Sequence, residues 1–215
     1  MGLFSLFCYN KNMLDLEEEK LLFSQGHKLV AGLDEAGRGP LAGPVVAACV
    51  VCAPDFKINP ELELVRDSKK LTAKQRGKLK EIIENNLAGV GVGICDPQTI
   101  DRINILQASF LAMKKALGAL EEKPGFLLLD GKFPLPNSSY PQKALKGGDG
   151  YVFSIAAASI IAKITRDQIM EKMEEKYPNY GFARHKGYGT KYHLEQIKKH
   201  GPCAIHRKSF GPCKI

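Results

Sequence analysis

The chain alternates short apolar runs with longer segments in which apolar residues recur every three or four positions, and this alternation predicts an α/β fold. The apolar runs are rich in valine, leucine and small residues and end at turn-forming residues, as buried strands do. One of them, 45–52, is apolar throughout, so we expect it at a central position in the sheet. The predicted strands cover 29–33, 45–52, 89–95, 126–129 and 142–145.

Helices are predicted for the periodic segments before, between and after these strands. The clearest helix begins near Tyr151 and ends near Tyr177, and Asp149 is placed to cap its first turn. Thr72 and Thr190 are placed to cap two other helices in the same way. Glycines alternate with branched residues in 89–95, and the bare face predicts that another element packs closely on this strand. The predicted helices cover 14–23, 73–86, 105–121, 151–177 and 191–200.

Two adjacent acids, Asp34 and Glu35, follow the first predicted strand, and Gly37-Arg38-Gly39-Pro40 comes directly after them. Glycine accepts positive φ and proline lacks a donor, so we expect the chain to turn here. A backbone already turning at Glu35 would let both carboxylates reach one site, and the N–H groups beside Arg38 would stay open to an anion or hydroxyl. Solvated turn residues are the alternative for the two acids. A dinucleotide-binding turn is disfavoured, because the prolines that follow oppose the helix it needs.

Two further acids are candidates for the same site, and the first of them repeats the placement at a strand end. Asp130 closes the predicted strand 126–129 and is followed by glycine, and Asp149 precedes the longest helix. Functional sites in α/β proteins gather at strand ends, so Asp34, Glu35 and Asp130 converge if the two strands are parallel neighbours. A solvated turn explains Asp130 as well, and a helix cap alone explains Asp149. Carboxylates without a histidine or cysteine ligand set favour Mg²⁺ or Mn²⁺ over zinc.

Composition narrows the possible partners and the compartment. The net charge of +8 and pI near 9.1 favour a polyanionic partner, with nucleic acid and an anionic membrane both open at this level. No apolar run approaches the roughly 18 residues of a membrane span, and the start lacks the pattern of a signal peptide. Cys49 and Cys52 point to opposite faces of one strand, and the other four cysteines are scattered. We therefore expect free thiols and a cytoplasmic protein.

The segment 184–189, Arg-His-Lys-Gly-Tyr-Gly, places Tyr188 between two glycines and after three basic residues. An exposed ring beside cations suits a sugar-phosphate strand, since the ring stacks and the cations neutralise phosphates. A tyrosine folded back onto the core is the alternative. Other cations are assigned to the basic surface: Lys198, Lys199, Arg207 and Lys208.

The segment 31–44 closely resembles the signature of the type 2 ribonucleases H, specifically ribonuclease HII, and the resemblance extends from about Leu29 to Pro212. Three further segments match motifs of that family: Asp67-Ser68-Lys69, His185 to Thr190, and Ser209 to Pro212. The resemblance implies a ribonuclease H-like mixed sheet flanked by helices, with a C-terminal helical segment. It also implies cleavage of the RNA strand of RNA–DNA hybrids and of single ribonucleotides embedded in duplex DNA, leaving a 5′-phosphate, as in ribonucleotide removal and RNA primer removal.

The family motifs carry roles residue by residue. The catalytic and metal-binding acids, for Mn²⁺ or Mg²⁺, correspond to Asp34, Glu35, Asp130 and Asp149. The substrate-binding positions correspond to Gly37, Arg38 and Gly39, whose backbone suits a 2′-hydroxyl, to Lys69 on a phosphate, and to Tyr188 on a sugar. The sister ribonuclease HIII has glutamate as the fourth acid and a large N-terminal domain, so an aspartate at 149 and a short extension favour ribonuclease HII.

The resemblance predicts an N-terminal extension over 1–28 and a catalytic domain over 29–215 that includes the C-terminal helical segment. The expected partners are RNA–DNA hybrids and ribonucleotide-containing duplex DNA, with no membrane and with the chain as a monomer. Two other classes stay open. A junction resolvase of the same fold needs the acids but no 2′-hydroxyl reader, and a non-catalytic hybrid-binding module needs the basic groove but not the acids.

Overall fold

A five-stranded mixed sheet forms the centre of the protein, in a computed structural model that describes residues 14–65 and 72–214. The strands are β1 (Val30–Ala36), β2 (Val45–Cys52), β3 (Gly89–Cys95), β4 (Phe126–Asp130) and β5 (Gln142–Leu145). Their order is β3-β2-β1-β4-β5, with β1 to β3 antiparallel and β4 and β5 parallel to β1. The mixed α/β fold is therefore confirmed, and β2 lies inside the sheet and is buried along its whole length.

Seven α-helices occur in the described residues: α1 (Glu17–Ser24), α2 (Ala73–Asn86), α3 (Pro97–Ile103), α4 (Ile105–Gly118), α5 (Phe153–Lys176), α6 (Phe182–His185) and α7 (Lys191–His200). Thr72 and Thr190 cap α2 and α7 as predicted, each accepting a hydrogen bond from a backbone N–H in the first turn. The sequence interpretation missed α3, which the Asp96 carboxylate caps by accepting from the Thr99 N–H at 2.6 Å. It also extended α4 too far, since Lys123 donates to the last carbonyls of a helix that ends at Gly118.

The start of α5 corrects the prediction for Asp149. Asp149 lies in a 3₁₀ turn, Gly148–Gly150, and does not cap the helix. Val152 pairs with Asp15 as an isolated bridge, which keeps Val152 extended and delays the helix to Phe153. The buried Glu19 of α1 provides the hydrogen bond instead, since its Oε1 accepts from the Ser154 N–H at 2.8 Å.

Helices cover both faces of the sheet. α5 packs on β1 and β2, and α4 packs on β2 and β3 from the other side. The bare face of β3 has the predicted consequence, because a Cβ built on Gly93 would lie 2.0 Å from the carbonyl oxygen of Ala112 in α4. Cys49 and Cys52 belong to the cores on opposite faces, and the five cysteines in the described residues are free thiols.

The segment before the sheet is packed onto the body of the protein. Leu14, Leu16 and Leu22 are buried, the first two beneath α5 and the third beside β1. The division into an extension over 1–28 and a catalytic domain over 29–215 stays a prediction. No helix in the described ranges combines the length and apolar character needed to span a bilayer.

Candidate active site

The acids predicted to converge lie near the carboxyl ends of two neighbouring strands, β1 and β4. β1 and β4 are neighbouring parallel strands, and Leu33 of β1 lies opposite Leu129 of β4. The next residue of each strand is an acid, so Asp34 and Asp130 lie side by side. The expected turn at Glu35 was wrong, because β1 stays paired with β2 as far as Ala36. Asp34 and Glu35 both lie within β1, and burial, together with the negative charge of Asp130, raises the pKa of each of them.

Each acid is held by a different element. The Asp34 side chain is 7% exposed, accepts a hydrogen bond from the Ser159 hydroxyl of α5, and accepts another from the Glu35 N–H at 2.7 Å. Asp130 Oδ1 accepts from the Gly148 N–H at 2.8 Å. This bond ties the end of β4 to the 3₁₀ turn that carries Asp149, which brings the fourth acid beside Asp130.

Burial and mutual repulsion raise the pKa values of three of these acids. Burial raises the pKa of Asp34 well above its ordinary value, and the charges of Glu35 and Asp130 raise it further. Burial also raises the pKa of Glu35, although the Arg38 guanidinium at 3.1 Å opposes that shift. The pKa of Asp130 is raised by burial and by the charge of Asp149. A cation among these carboxylates would relieve the repulsion.

The donor chemistry of this cluster fits a hard divalent cation, since every group offered is a carboxylate oxygen. In the described part of the chain, no three histidine, cysteine, aspartate or glutamate side chains are already arranged as a metal-binding group. The four acids lie near one another at the carboxyl ends of β1 and β4, but they do not yet have the positions of a complete metal-ligand set.

The turn after β1 is fixed by two buried arginines. Gly37 has φ +98°, and its carbonyl accepts from Arg207 Nη2 at 2.6 Å. The Arg38 carbonyl accepts from Arg207 Nη1 at 2.9 Å, and the Pro44 carbonyl accepts from Arg166 Nε at 2.9 Å. A Cβ on Gly37 would lie 2.1 Å from Arg166 Nε, so only glycine fits at this position. The guanidinium groups thus hold the turn from beneath.

Arg207 is the largest correction to the sequence interpretation. It was assigned to the basic surface, but its side chain is fully buried. Asp101 fixes the neighbouring chain by accepting from the backbone N–H groups of Lys208 and Ser209, both at 2.9 Å. Arg166 was also missed as a structural residue. Composition and spacing contain no signal that separates a buried guanidinium from a solvated one.

The turn and Tyr188 border one cleft of about 710 Å³. The Tyr188 side chain is 46% exposed, so the alternative of a ring folded onto the core was wrong. The ring lies near the turn, since a Cβ on Gly39 would be 3.8 Å from Tyr188 Cε1, and the Arg166 guanidinium lies 6.0 Å from the ring centroid. Glu35 lines the same cleft and connects it to the acids.

Cations dominate the lining of this cleft. Lys163 and Lys186 are paired with Asp167 at 2.6 Å and with Glu171 at 2.7 Å. His185, expected beside the exposed ring, is buried and directs Nε2 to the Tyr180 carbonyl at 2.7 Å. Lys69 lies outside the described residues. The cationic lining residues are Arg38, Arg76, Lys163, Arg166, Arg184 and Lys186.

Comparison with known proteins finds similarity to one family over nearly the whole chain. The family model for ribonuclease HII matches residues 31–213. A ribonuclease HII of Geotalea daltonii is 50% identical over 214 residues, covering 100% of this chain and 96% of that protein. A ribonuclease HII of Acetivibrio thermocellus is 54% identical over 192 residues, covering 89% and 73%. The crystal structure of ribonuclease H2 from Pyrococcus horikoshii OT3 superposes with a TM-score of 0.72 at 30% identity, covering 86% of this chain and 95% of that one.

Proposed function

This chain belongs to the ribonuclease HII family and is a ribonuclease H enzyme, and we propose that it cuts duplex DNA on the 5′ side of embedded ribonucleotides as well as the RNA strand of RNA–DNA hybrids. The products are 5′-phosphate ends, as ribonucleotide removal and RNA primer removal require. The observation that carries the proposal is the placement of four acids beside a cationic cleft in a protein of net charge +8.

Asp34, Glu35, Asp130 and Asp149 are the groups that would hold Mg²⁺ or Mn²⁺. When bound, such an ion orients and activates water and stabilises charge on the attacking and leaving oxygens of a phosphodiester. The chain supplies the rest of the arrangement. Arg38 holds the Glu35 carboxylate, and the Gly148 N–H holds Asp130, so each acid keeps its orientation while it carries negative charge.

Recognition of the ribose is assigned to the turn of Gly37, Arg38 and Gly39. Its backbone is fixed by the buried arginines, and a fixed N–H or carbonyl at glycine can approach a sugar closely. The 2′-hydroxyl is both donor and acceptor and distinguishes RNA from DNA. Tyr188 lies beside this turn in the same cleft, and we propose that it stacks on a sugar or base there.

Phosphate binding is assigned to the unburied cations of the cleft. Arg184 is exposed and Arg38 has 53% of its side chain exposed, so both can reach a backbone phosphate. Lys69 is proposed for the same role from the family motif alone. The partners are therefore RNA–DNA hybrids and ribonucleotide-containing duplex DNA.

The test is cleavage of a DNA duplex that carries one ribonucleotide, with Mg²⁺ or Mn²⁺, and of the same duplex made entirely of DNA. Wild-type protein is expected to make a single cut 5′ of the ribonucleotide and none in the all-DNA duplex. Asp130→Asn is expected to lose cleavage by at least about 100-fold, the scale of a lost transition-state interaction. The matched control is Asp55→Asn, which neutralises an exposed acid in a distant turn.

Folding must be measured beside activity. Burial and Asp149 disfavour the charge on Asp130, so Asp130→Asn is expected to unfold at the same temperature as the wild type or higher. Equal cutting of both duplexes would refute ribonucleotide recognition and favour a general nuclease. Tight hybrid binding without metal-dependent cleavage would refute the proposed catalysis and favour a binding module.

A further inference from the structure

A buried pair of histidines lies directly behind Tyr188. His193 is 0% and His206 is 2% exposed, and their Nε2 atoms are 3.0 Å apart. His193 Nδ1 lies 2.8 Å from the backbone carbonyl of Tyr188. His206 Nδ1 lies 2.9 Å from the backbone nitrogen of Cys203 and 3.1 Å from its Sγ. These contacts link the C-terminal segment to the residue whose ring borders the cleft.

The partners at the two ends determine where the protons lie. A carbonyl only accepts, so His193 carries its proton on Nδ1. A backbone N–H only donates, so His206 Nδ1 is unprotonated and the proton of a neutral ring is on Nε2. His206 Nε2–H therefore donates to the bare Nε2 of His193. Hydrogen bonds therefore run in one direction from Cys203 through His206 and His193 to Tyr188, and every ring nitrogen of the two histidines has a partner.

This arrangement requires both rings to be neutral. If His193 gained a proton on Nε2, that N–H would point at the Nε2–H of His206, with the two nitrogens 3.0 Å apart. If His206 gained a proton on Nδ1, that N–H would point at the backbone N–H of Cys203. Burial lowers the pKa of His193 and of His206 to about 4 in each case, so both rings are neutral at physiological pH.

The Tyr188 backbone needs such a support. Gly187 and Gly189 flank it without side chains, and Gly187 has φ +84°. The Tyr188 carbonyl also accepts from the Thr190 N–H at 2.8 Å, within the same short loop. Of these two bonds, the one from His193 ties the carbonyl to a separate, buried element. The residues before Tyr188 are anchored separately, since the Gly187 carbonyl accepts from the Leu41 N–H at 2.8 Å. Loss of the His193 bond would therefore act on the Tyr188 carbonyl itself and change the position of the ring.

We propose that His193 and His206 are positioning residues for Tyr188, in which one fixed order of hydrogen bonds holds the Tyr188 carbonyl and thereby the ring at the cleft. The inference rests on the proposed function, because there Tyr188 is the residue that stacks on the substrate. Neither histidine touches the substrate, and both act through the tyrosine.

Asparagine and glutamine substitutions test the two nitrogens of each histidine ring one at a time. An asparagine amide nitrogen occupies the place of histidine Nδ1, and a glutamine amide nitrogen occupies the place of Nε2. His193→Asn keeps the donor to Tyr188, and His193→Gln removes it. We expect His193→Gln to lower kcat/KM on the single-ribonucleotide duplex about 10-fold and His193→Asn to stay within about threefold of wild type. At His206 the donor is Nε2, whose place a glutamine amide nitrogen takes. We therefore expect His206→Gln to keep more activity than His206→Asn.

A double-mutant cycle with Tyr188→Ala tests whether the effect passes through the ring. In the Tyr188→Ala protein, His193→Gln is expected to cause no further loss. An equal loss in both backgrounds, or wild-type activity of His193→Gln, would overturn the proposal. The His206 variants provide the same comparison if His193→Gln fails to fold.

Two measurements judge the proposal without cleavage. Nitrogen-15 NMR of the imidazoles at pH 7 is expected to show His193 protonated on Nδ1 and His206 on Nε2, and any other assignment overturns it. In protein labelled with fluorotyrosine, the ¹⁹F resonance that Tyr188→Phe removes is expected to shift in His193→Gln but not in His193→Asn. If Tyr188→Ala cuts like wild type, stacking by Tyr188 is refuted, and these two readouts still confirm or overturn the positioning of its ring.

Discussion

Replacing Arg207 with lysine tests whether the buried guanidinium holds the turn beside the acids. The fork of Arg207 donates to four carbonyls, those of Gly37, Arg38, Gly43 and Pro44, at 2.6 to 3.2 Å. The Arg38 and Gly43 carbonyls are bound by different nitrogens, Nη1 and Nε. A lysine ammonium is a single point with three donors and cannot reproduce that planar fork.

The expected loss follows from the number of acceptors left without a donor. The ammonium of a lysine can donate only to carbonyls that lie close to one point. One or two of the carbonyls bound by Arg207 would therefore lose their donor. Each buried acceptor left unsatisfied costs about 1–3 kcal/mol. Burial, together with the nearby Arg166, lowers the pKa of Arg207 to about 9. A lysine buried in the same place can lose its proton more readily than arginine, and the loss of this unfavourable charge offsets part of the cost. We expect Arg207→Lys to reduce the free energy of unfolding by about 2–4 kcal/mol.

The assay is urea unfolding without metal, followed by circular dichroism, with Lys199→Arg as the control. That control changes an exposed side chain near the end of α7 and is expected to stay within about 0.5 kcal/mol of wild type. An unchanged m-value would locate the effect in stability. A difference below about 0.5 kcal/mol for Arg207→Lys would refute the argument that the turn depends on the fork geometry.

Three further predictions concern the sheet, the N-terminal helix and the acids. Gly93→Ala is expected to destabilise the fold by about 3 kcal/mol in urea unfolding, because its Cβ would meet the carbonyl of Ala112, whereas Gly118→Ala, with open space around it, is expected to stabilise by about 0.5–1 kcal/mol; equal effects would contradict the packing argument. Burial raises the pKa of Glu19 above 4.5, so the folded state binds its proton more tightly and the stability from that proton is lost as pH rises. Glu19→Gln is therefore expected to raise the unfolding free energy more at pH 8 than at pH 4.5, and a gain that is the same at both pH values would show that burial of the charge is not the cause. Mg²⁺ binding is expected to release protons, in amounts that fall as pH rises, because burial raises the pKa of Asp34; calorimetry in two buffers of different ionisation enthalpy measures this, and the absence of proton release at every pH at which the protein is folded would contradict the raised pKa.

Local sequence patterns predicted most of the sheet. The limits of β2, β3 and β5 agree with the structure to the residue. Each strand has a proline within two residues of one end, at Pro44, Pro97 and Pro141, which limits how far it can extend. The start of α5 could not be predicted in the same way. It depends on a bridge between Asp15 and Val152 and on the Glu19 carboxylate, which are contacts across more than 130 residues.

The site shows the same division between local and distant causes. Asp34 and Asp130 were expected together because both close apolar strands, and the parallel pairing of β1 and β4 brings them together. Arg207 and His193 were not found, because their roles come from burial, and burial of a polar side chain is decided by tertiary structure. His185 was misassigned for the same reason.

The bonds from Arg207 to the turn after β1 join residues 163 to 170 positions apart in the chain. During synthesis on the ribosome, the acids, their strands and α5 all emerge before the guanidinium that fixes the turn. In a nascent chain that ends before Arg207, the turn lacks its main donors. Nucleic acid bound early by the basic surface would then meet an unfinished site, so cutting would begin only after the last segment docks.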